Sequence, residues 1–276
     1  MLEFELIKLE KYREIEKTII KKYRKDIWSK FIKGIKEYNL LKEGDKIAVC
    51  ISGGKDSFLL AKCMQELKRH GQMAFEVEFI VMNPGYTKDT LNQIKENAKT
   101  LHIPIKLFKT DIFAVANKLN EKAPCYLCAR MRRGYLYDYA KKIGCNKIAL
   151  GHHFDDVIET ILLSIIYGAE FKTMLPKVKS ANFDEMELIR PLYLVHESAI
   201  INWSIYNNLK FLNCSCTFAE KEINSKRKEI KELIKNLSIK NKYIKYNIFK
   251  SMENVNSDTL ISYVKDNKTI HFLDKY

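Results

Sequence analysis

Residues 46–57 run Lys-Ile-Ala-Val-Cys-Ile-Ser-Gly-Gly-Lys-Asp-Ser, and their reading decides the fold. Ile47 to Ile51 is a short apolar run of the buried-strand type. It enters a tight turn, Ser52-Gly53-Gly54-Lys55-Asp56-Ser57. Phe58, Leu59, Leu60, Cys63, Met64 and Leu67 then recur with helical spacing. A strand, a glycine turn and a helix N-terminus together form an anion site. Glycines admit a phosphate close to the backbone, first-turn N–H groups point at it, and the helix dipole favours negative charge. Lys55 adds a positive charge, and Ser52 and Ser57 add hydroxyl donors.

The spacing differs from the Walker P-loop and from the dinucleotide-binding Gly-x-Gly-x-x-Gly. Ser52–Ser57 instead resembles the PP-loop of the ATP pyrophosphatase (adenine-nucleotide α-hydrolase-like) superfamily. That resemblance implies cleavage of ATP between its α and β phosphates and adenylation of a substrate.

Around this turn, strand-like and helix-like segments alternate. Strands are expected at 47–51, 75–82, 105–108 and 147–150, with helices at 57–70, 87–101, 128–143 and 155–167. This rhythm predicts an α/β fold, a doubly wound parallel sheet with ligands beyond the carboxyl ends of its strands. Residues 7–40 form a basic amphipathic segment, so 1–44 is expected to be a helical N-terminal extension. The ATP-binding catalytic domain is expected over 45–197, and 198–276 is expected to be a helical C-terminal region.

Composition narrows the class. At 276 residues and 46% hydrophobic content the chain can bury a core, which excludes a disordered protein. No apolar run is long enough to span a bilayer, and the start lacks a signal-peptide pattern, so a cytoplasmic protein without a membrane partner is expected. Lys and Arg number 48 against 34 acids, a net charge of +14 that suits a polyanion such as nucleic acid; a lysine-rich background would produce the same figure.

The seven cysteines are not expected to form disulfides in that compartment. Cys50, Cys63 and Cys145 read as packing residues; the others form close pairs, Cys125/Cys128 and Cys214/Cys216. Cys125-x2-Cys128 stands at a helix start followed by Arg130, Arg132 and Arg133. A four-cysteine zinc site and a three-thiolate [4Fe–4S] cluster both agree with these spacings. A third constellation, Gly151-His152-His153-Phe154-Asp155-Asp156, sets two carboxylates at the start of a helix, where they suit Mg²⁺-nucleotide binding or helix capping.

Taken in order, Ser52–Ser57, Cys125-x2-Cys128 with Arg-x-Arg-Arg-Gly, Leu-Gly-His-His-x-Asp-Asp and Ile189-Arg190-Pro191-Leu192 resemble the tRNA 2-thiocytidine synthetase (TtcA-type) family of PP-loop enzymes. The likeness covers roughly residues 25–258. It departs at Cys214-Ser215-Cys216, where the family usually has Cys-x2-Cys, and at Phe154, where arginine is usual.

The resemblance implies ATP-dependent tRNA thiolation, with C2 of an anticodon-loop cytidine as the target. It implies a [4Fe–4S] cluster on Cys125, Cys128 and Cys214, and Mg²⁺ with ATP. ATP would be held by Ser52, Gly53, Gly54, Lys55, Asp56, Ser57, Met82, Gly151 and Asp156, and the catalytic candidates are Asp156, Arg132 and Lys55. The expected partners are tRNA, a sulfur donor (sulfide or a persulfide carrier such as a cysteine desulfurase) and a second copy in a homodimer. Two rival readings keep the fold: a PP-loop tRNA ligase of lysidine or amidating type with structural zinc, and a non-catalytic metal-binding nucleic-acid protein.

Overall fold

The computed structural model describes residues 12–113, 124–212 and 223–275, with the side chains of all of these except 124–129, 223–225 and 275. A helical run from residue 12 passes through two π-type turns, Thr18–Lys22 and Arg24–Trp28, into helix α1 (Ser29–Glu37). Strand β1 (Lys46–Cys50), helix α2 (Lys55–His70), strand β2 (Glu76–Asn83), helix α3 (Lys88–Thr100) and strand β3 (Ile105–Lys109) follow. Helix α4 (Pro124–Lys142), strand β4 (Lys147–Ala149) and helix α5 (Phe154–Gly168) complete the expected alternation.

Two further strands, β5 (Lys177–Lys179) and β6 (Glu187–Ile189), join the same sheet. β5 (Lys-Val-Lys) carries one apolar residue and β6 (Glu-Leu-Ile) two, so neither shows the apolar run, Ile148-Ala149-Leu150, that marks the equally short β4. Six strands stand in the order β3-β2-β1-β4-β6-β5, all parallel except β5, which runs antiparallel to β6. The chain builds outward from β1 through β2 to β3, then returns to place β4 on the other flank of β1. That reversal puts a crevice at the carboxyl ends of β1 and β4.

Alternation along the strands explains why both faces are covered. Ile47, Val49 and Ile51 point to one face, and pack with Phe58, Leu59 and Met64 of α2 and with Ile19, Ile27 and Phe31. Ala48 and Cys50 point to the other, against Tyr137 and Ala140 of α4. The apolar stripe of the N-terminal segment is therefore core, and its basic positions face outward.

Two buried lysines stitch this assembly. Lys62 of α2, with 0% exposure, donates to Glu16 and, at 2.9 Å each, to Gln65 Oε1 and the Leu101 carbonyl. Lys147 of β4 meets Asp45 at 2.8 Å, Glu187 at 3.1 Å and the Leu40 carbonyl at 3.0 Å.

The chain forms two compact units, Met1–Val157 with Leu175–Lys226, and Ile158–Met174 with Arg227–Tyr276. Helix α6 (Glu197–Tyr206) belongs to the first. Helix α7 (Ile223–Lys240) runs on into the second, which also holds helix α8 (Ile244–Ser251). Within the second unit, buried Glu159 takes Arg227 at 3.2 Å and Lys231 at 3.5 Å. Helices alone were expected there, but a hairpin, β7 (Ser262–Lys265) with β8 (Lys268–His271), is present too. Asp266 and Asn267 supply the two positive φ angles, 51° and 60°, that a tight hairpin turn needs. No described helix is long and apolar enough to cross a membrane.

Candidate active site

The turn after β1 is held open by its own hydroxyls. Ser57 Oγ donates to the Gly54 carbonyl at 2.9 Å and accepts from the Ser52 N–H at 3.2 Å. Gly54 precedes α2 without any side-chain cap, so the first-turn amides of Lys55, Asp56 and Ser57 have no intrahelical acceptor. Gly53 sits at φ +95°, and a Cβ there would lie 2.7 Å from Leu212 Cδ1. Only glycine suits that position.

The loop after β4 lies directly against this turn. A Cβ on Gly151 would come within 3.0 Å of the Asp56 carbonyl carbon and the Ser57 nitrogen, both backbone atoms. Its missing side chain thus brings the start of α5 up to the start of α2. There His153 and Asp156 form a reciprocal cap: Asp156 Oδ2 accepts the His153 N–H at 3.0 Å, and His153 Nδ1 accepts the Asp156 N–H at 3.4 Å. Asp155 instead accepts the Glu197 N–H at 2.7 Å, capping α6. Asp155 therefore caps a helix, as one expectation had it, but a different helix from its own.

These elements enclose a cavity of about 400 Å³. Ser52, Asp56, Ser57, Met82, Gly151, Asp156 and Arg132 line it, which brings together most of the residues singled out in the sequence. Buried Nε and Nη2 of Arg132 have no hydrogen-bond partner among the described residues, and its guanidinium lies 5.3 Å from the Phe113 ring. Unmet cationic donors beside free first-turn amides suit a phosphate chain. Cys50 lies at the base, where burial, with Cys145 nearby, pushes its thiol well above the usual range and keeps it protonated.

The profile of the PP-loop domain family matches residues 24–237. The chain belongs to the PP-loop family. Within that family it is 36% identical over 225 residues to the tRNA-cytidine(32) 2-sulfurtransferase of Geotalea uraniireducens (strain Rf4), covering 81% of this chain and 88% of that one. The enzyme of the same name from Alcanivorax borkumensis is 34% identical over 245 residues, covering 87% and 84%. Among solved structures, the U34-tRNA thiolase NcsA from Methanococcus maripaludis, with its [4Fe–4S] cluster, shares the fold. Its TM-score is 0.66 at 23% identity, covering 82% of this chain and 77% of NcsA.

Not every expected residue of this PP-loop protein lines the cavity. Gly53, Gly54 and Lys55 belong to the turn but not to the lining. Lys55 Nζ lies 3.0 Å from Glu197 Oε1 and 3.2 Å from Asp56 Oδ1. Burial would lower its pKa, but these two carboxylates outweigh burial and raise it. Tyr86, Leu136 and Glu197 went unnoticed in the sequence. Tyr86 had a local signal, since Asn83 Oδ1 accepts the Gly85 and Tyr86 N–H groups at 3.0 and 2.7 Å in the turn ending β2. Glu197 had none; it reaches Lys55 from 142 residues away.

His153 is buried in the cap of α5. Cys125 and Cys128 are i and i+3 in the first turn of α4. Their side chains, and Cys214 with Cys216, lie outside the described residues. Among the described residues no three His, Cys, Asp or Glu side chains form a metal-binding group.

Proposed function

We propose that this chain is an ATP-dependent tRNA sulfurtransferase that replaces the C2 oxygen of an anticodon-loop cytidine with sulfur. The observation that carries this reading is the cavity at the ends of β1 and β4, with its free first-turn amides and unmet Arg132 donors, in a chain so similar to tRNA-cytidine(32) 2-sulfurtransferases.

In this reading the amides of 54–57 and the Ser52 and Ser57 hydroxyls hold the ATP phosphates. Met82, with Tyr86, lines the part of the cavity that takes the adenosine. The base oxygen attacks the α phosphorus; the α–β bond breaks and pyrophosphate leaves. Sulfur then adds at C2, and the C–O bond breaks to release AMP carrying the former base oxygen. Arg132 balances charge on the α phosphate in both steps. Lys55, on its flexible stem, neutralises the departing pyrophosphate. Asp156 would hold a Mg²⁺ with the phosphates, an ion that needs only one or two protein carboxylates beside them.

Cys125, Cys128 and Cys214 form the donor set for a [4Fe–4S] cluster, since three thiolates leave one iron open. When bound, the cluster would supply a Lewis-acidic site for sulfur delivery. Sulfide or a persulfide carrier such as a cysteine desulfurase provides the sulfur. The enzyme works in the cytoplasm as a homodimer.

The test uses anaerobically purified protein with ATP, sulfide and an unmodified tRNA transcript. AMP and 2-thiocytidine are expected in equal amounts, with about four irons per chain. AMP formation and a different base product from iron-free protein would establish a ligase. No AMP at all would establish a non-catalytic protein.

A further inference from the structure

Arg133 lines the nucleotide cavity and also a second one, of about 840 Å³. The second cavity lies between the early turns of α4 and the β5–β6 hairpin. Its wall carries Arg130, Arg133, Lys179 and Arg190, and its aromatic part is Tyr137 and Phe183, stacked at 5.2 Å and 15°. None of these four cations has a carboxylate within ion-pair distance among the described residues. Lys177 on the same hairpin, by contrast, is paired with Glu187 at 3.2 Å.

Arg190 is the telling residue. It is 8% exposed, its Nη1 donates to the Leu175 carbonyl, and its buried Nε has no acceptor among the described residues. A buried, unmet guanidinium N–H is unfavourable by itself and is satisfied by an incoming oxyanion. Burial, with Arg133 close by, lowers the guanidinium to about 10, so it remains a cation at neutral pH.

We propose that this cavity binds a backbone phosphate of single-stranded RNA, with Arg190 as its most buried ligand; the proposal rests on the tRNA reading above. Four cations with no carboxylate partner among the described residues, carried by α4, by β5 and by the residue after β6, suit a phosphodiester, and an aromatic wall suits the neighbouring nucleotide face. A base drawn out of its stack needs its flanking phosphate held beside the reacting group. Arg133, shared by both cavities, sets that phosphate next to the nucleotide site.

The same chemistry could serve inorganic phosphate or pyrophosphate, and the experiment separates these sources. Gly134 lines the cavity, and a Cβ there meets nothing within 4 Å, so Gly134→Phe directs added bulk into that space. Full-length wild type, Arg190→Gln, Lys179→Gln and Gly134→Phe are titrated with a labelled, unmodified anticodon stem-loop across a salt series. Binding of a non-hydrolysable ATP analogue and of pyrophosphate is measured in parallel.

The RNA Kd is expected to rise roughly tenfold in Arg190→Gln and Gly134→Phe. The slope of log affinity against log salt should fall by about 0.7 in Arg190→Gln and Lys179→Gln, as for one lost single-strand phosphate contact. ATP-analogue affinity should stay within about twofold. Pyrophosphate binding that depends on Arg190, with RNA affinity and slope unchanged, would overturn the RNA assignment in favour of a small anion. Unchanged RNA affinity in folded Gly134→Phe would overturn the proposal even if Arg190→Gln fails to fold. Wild-type protein that neither binds tRNA nor forms AMP would instead sink the functional reading. Wild type that thiolates tRNA while all three variants bind RNA normally would sink this site alone.

Discussion

At the scale of single residues, two positions line the cavity at the ends of β1 and β4 and shape it by opposite means. Gly151 acts through an atom it lacks, because any Cβ would press on the backbone of Asp56 and Ser57 at 3.0 Å. Gly151→Ala should therefore push the two loops apart. Overpacking of about 1–3 kcal/mol, if expressed in binding, corresponds to roughly a five- to 150-fold loss of ATP affinity. Calorimetric titration with a non-hydrolysable analogue measures it, and unchanged affinity would remove Gly151 from the site. Arg132 acts through donors that nothing described satisfies. Arg132→Ala should slow AMP formation on the order of 10²-fold at saturating ATP and tRNA, the scale for losing one positioned charge donor. A rate within twofold of wild type would exclude it from the chemistry.

Among elements, α2 does two jobs at once. Its first turn presents amides to the cavity, and its middle buries Phe58, Leu59, Leu60 and Met64. Lys62, fully buried between these, ties the helix to Glu16 in the N-terminal run. Glu16→Ala would leave that ammonium without its carboxylate, and removing one partner of a buried pair costs about 3–5 kcal/mol. Residual bonds to Gln65 and the Leu101 carbonyl soften the loss, so a fall near the lower figure is expected in urea denaturation. A fall below about 1 kcal/mol would mean that the pair is solvated in the native state.

The whole molecule should respond to pH through its buried carboxylates. Asp45, Glu187 and Glu16 are each held below their ordinary values: burial alone would raise them, but Lys147, with Asn146 for Asp45 and Lys177 for Glu187, and Lys62 with Arg69 for Glu16, outweigh it. At pH below the ordinary carboxylate range, near 4, the unfolded chain binds these protons and the folded chain does not. Their stabilisation is complete above that range and declines as pH falls through the lower folded values. Glu66, raised by burial and by Glu16, works in the opposite sense. With three groups against one, the thermal midpoint should be flat near neutrality and fall below about pH 4. A midpoint that rises on acidification would contradict this balance.

Much of this protein was legible in its sequence because the decisive information is local. A turn that needs a positive φ requires glycine, so Gly53 announced the turn after β1, and short apolar runs and period-3.6 patterns announced β1 to β4 and their helices. The chain's similarity to the PP-loop family runs over residues 24–237, a span that contains these strings. Strands β5 and β6 carry too few apolar residues to register, and they exist because β4 offers an open edge to β6, and β6 in turn to β5. Glu197 reached Lys55, and Arg190 lost an acceptor, only once distant segments packed together. Sequence alone determined which backbone conformations and which apolar faces were available. Tertiary structure decided which charges found partners, because burial and pairing depend on neighbours that chain order does not specify.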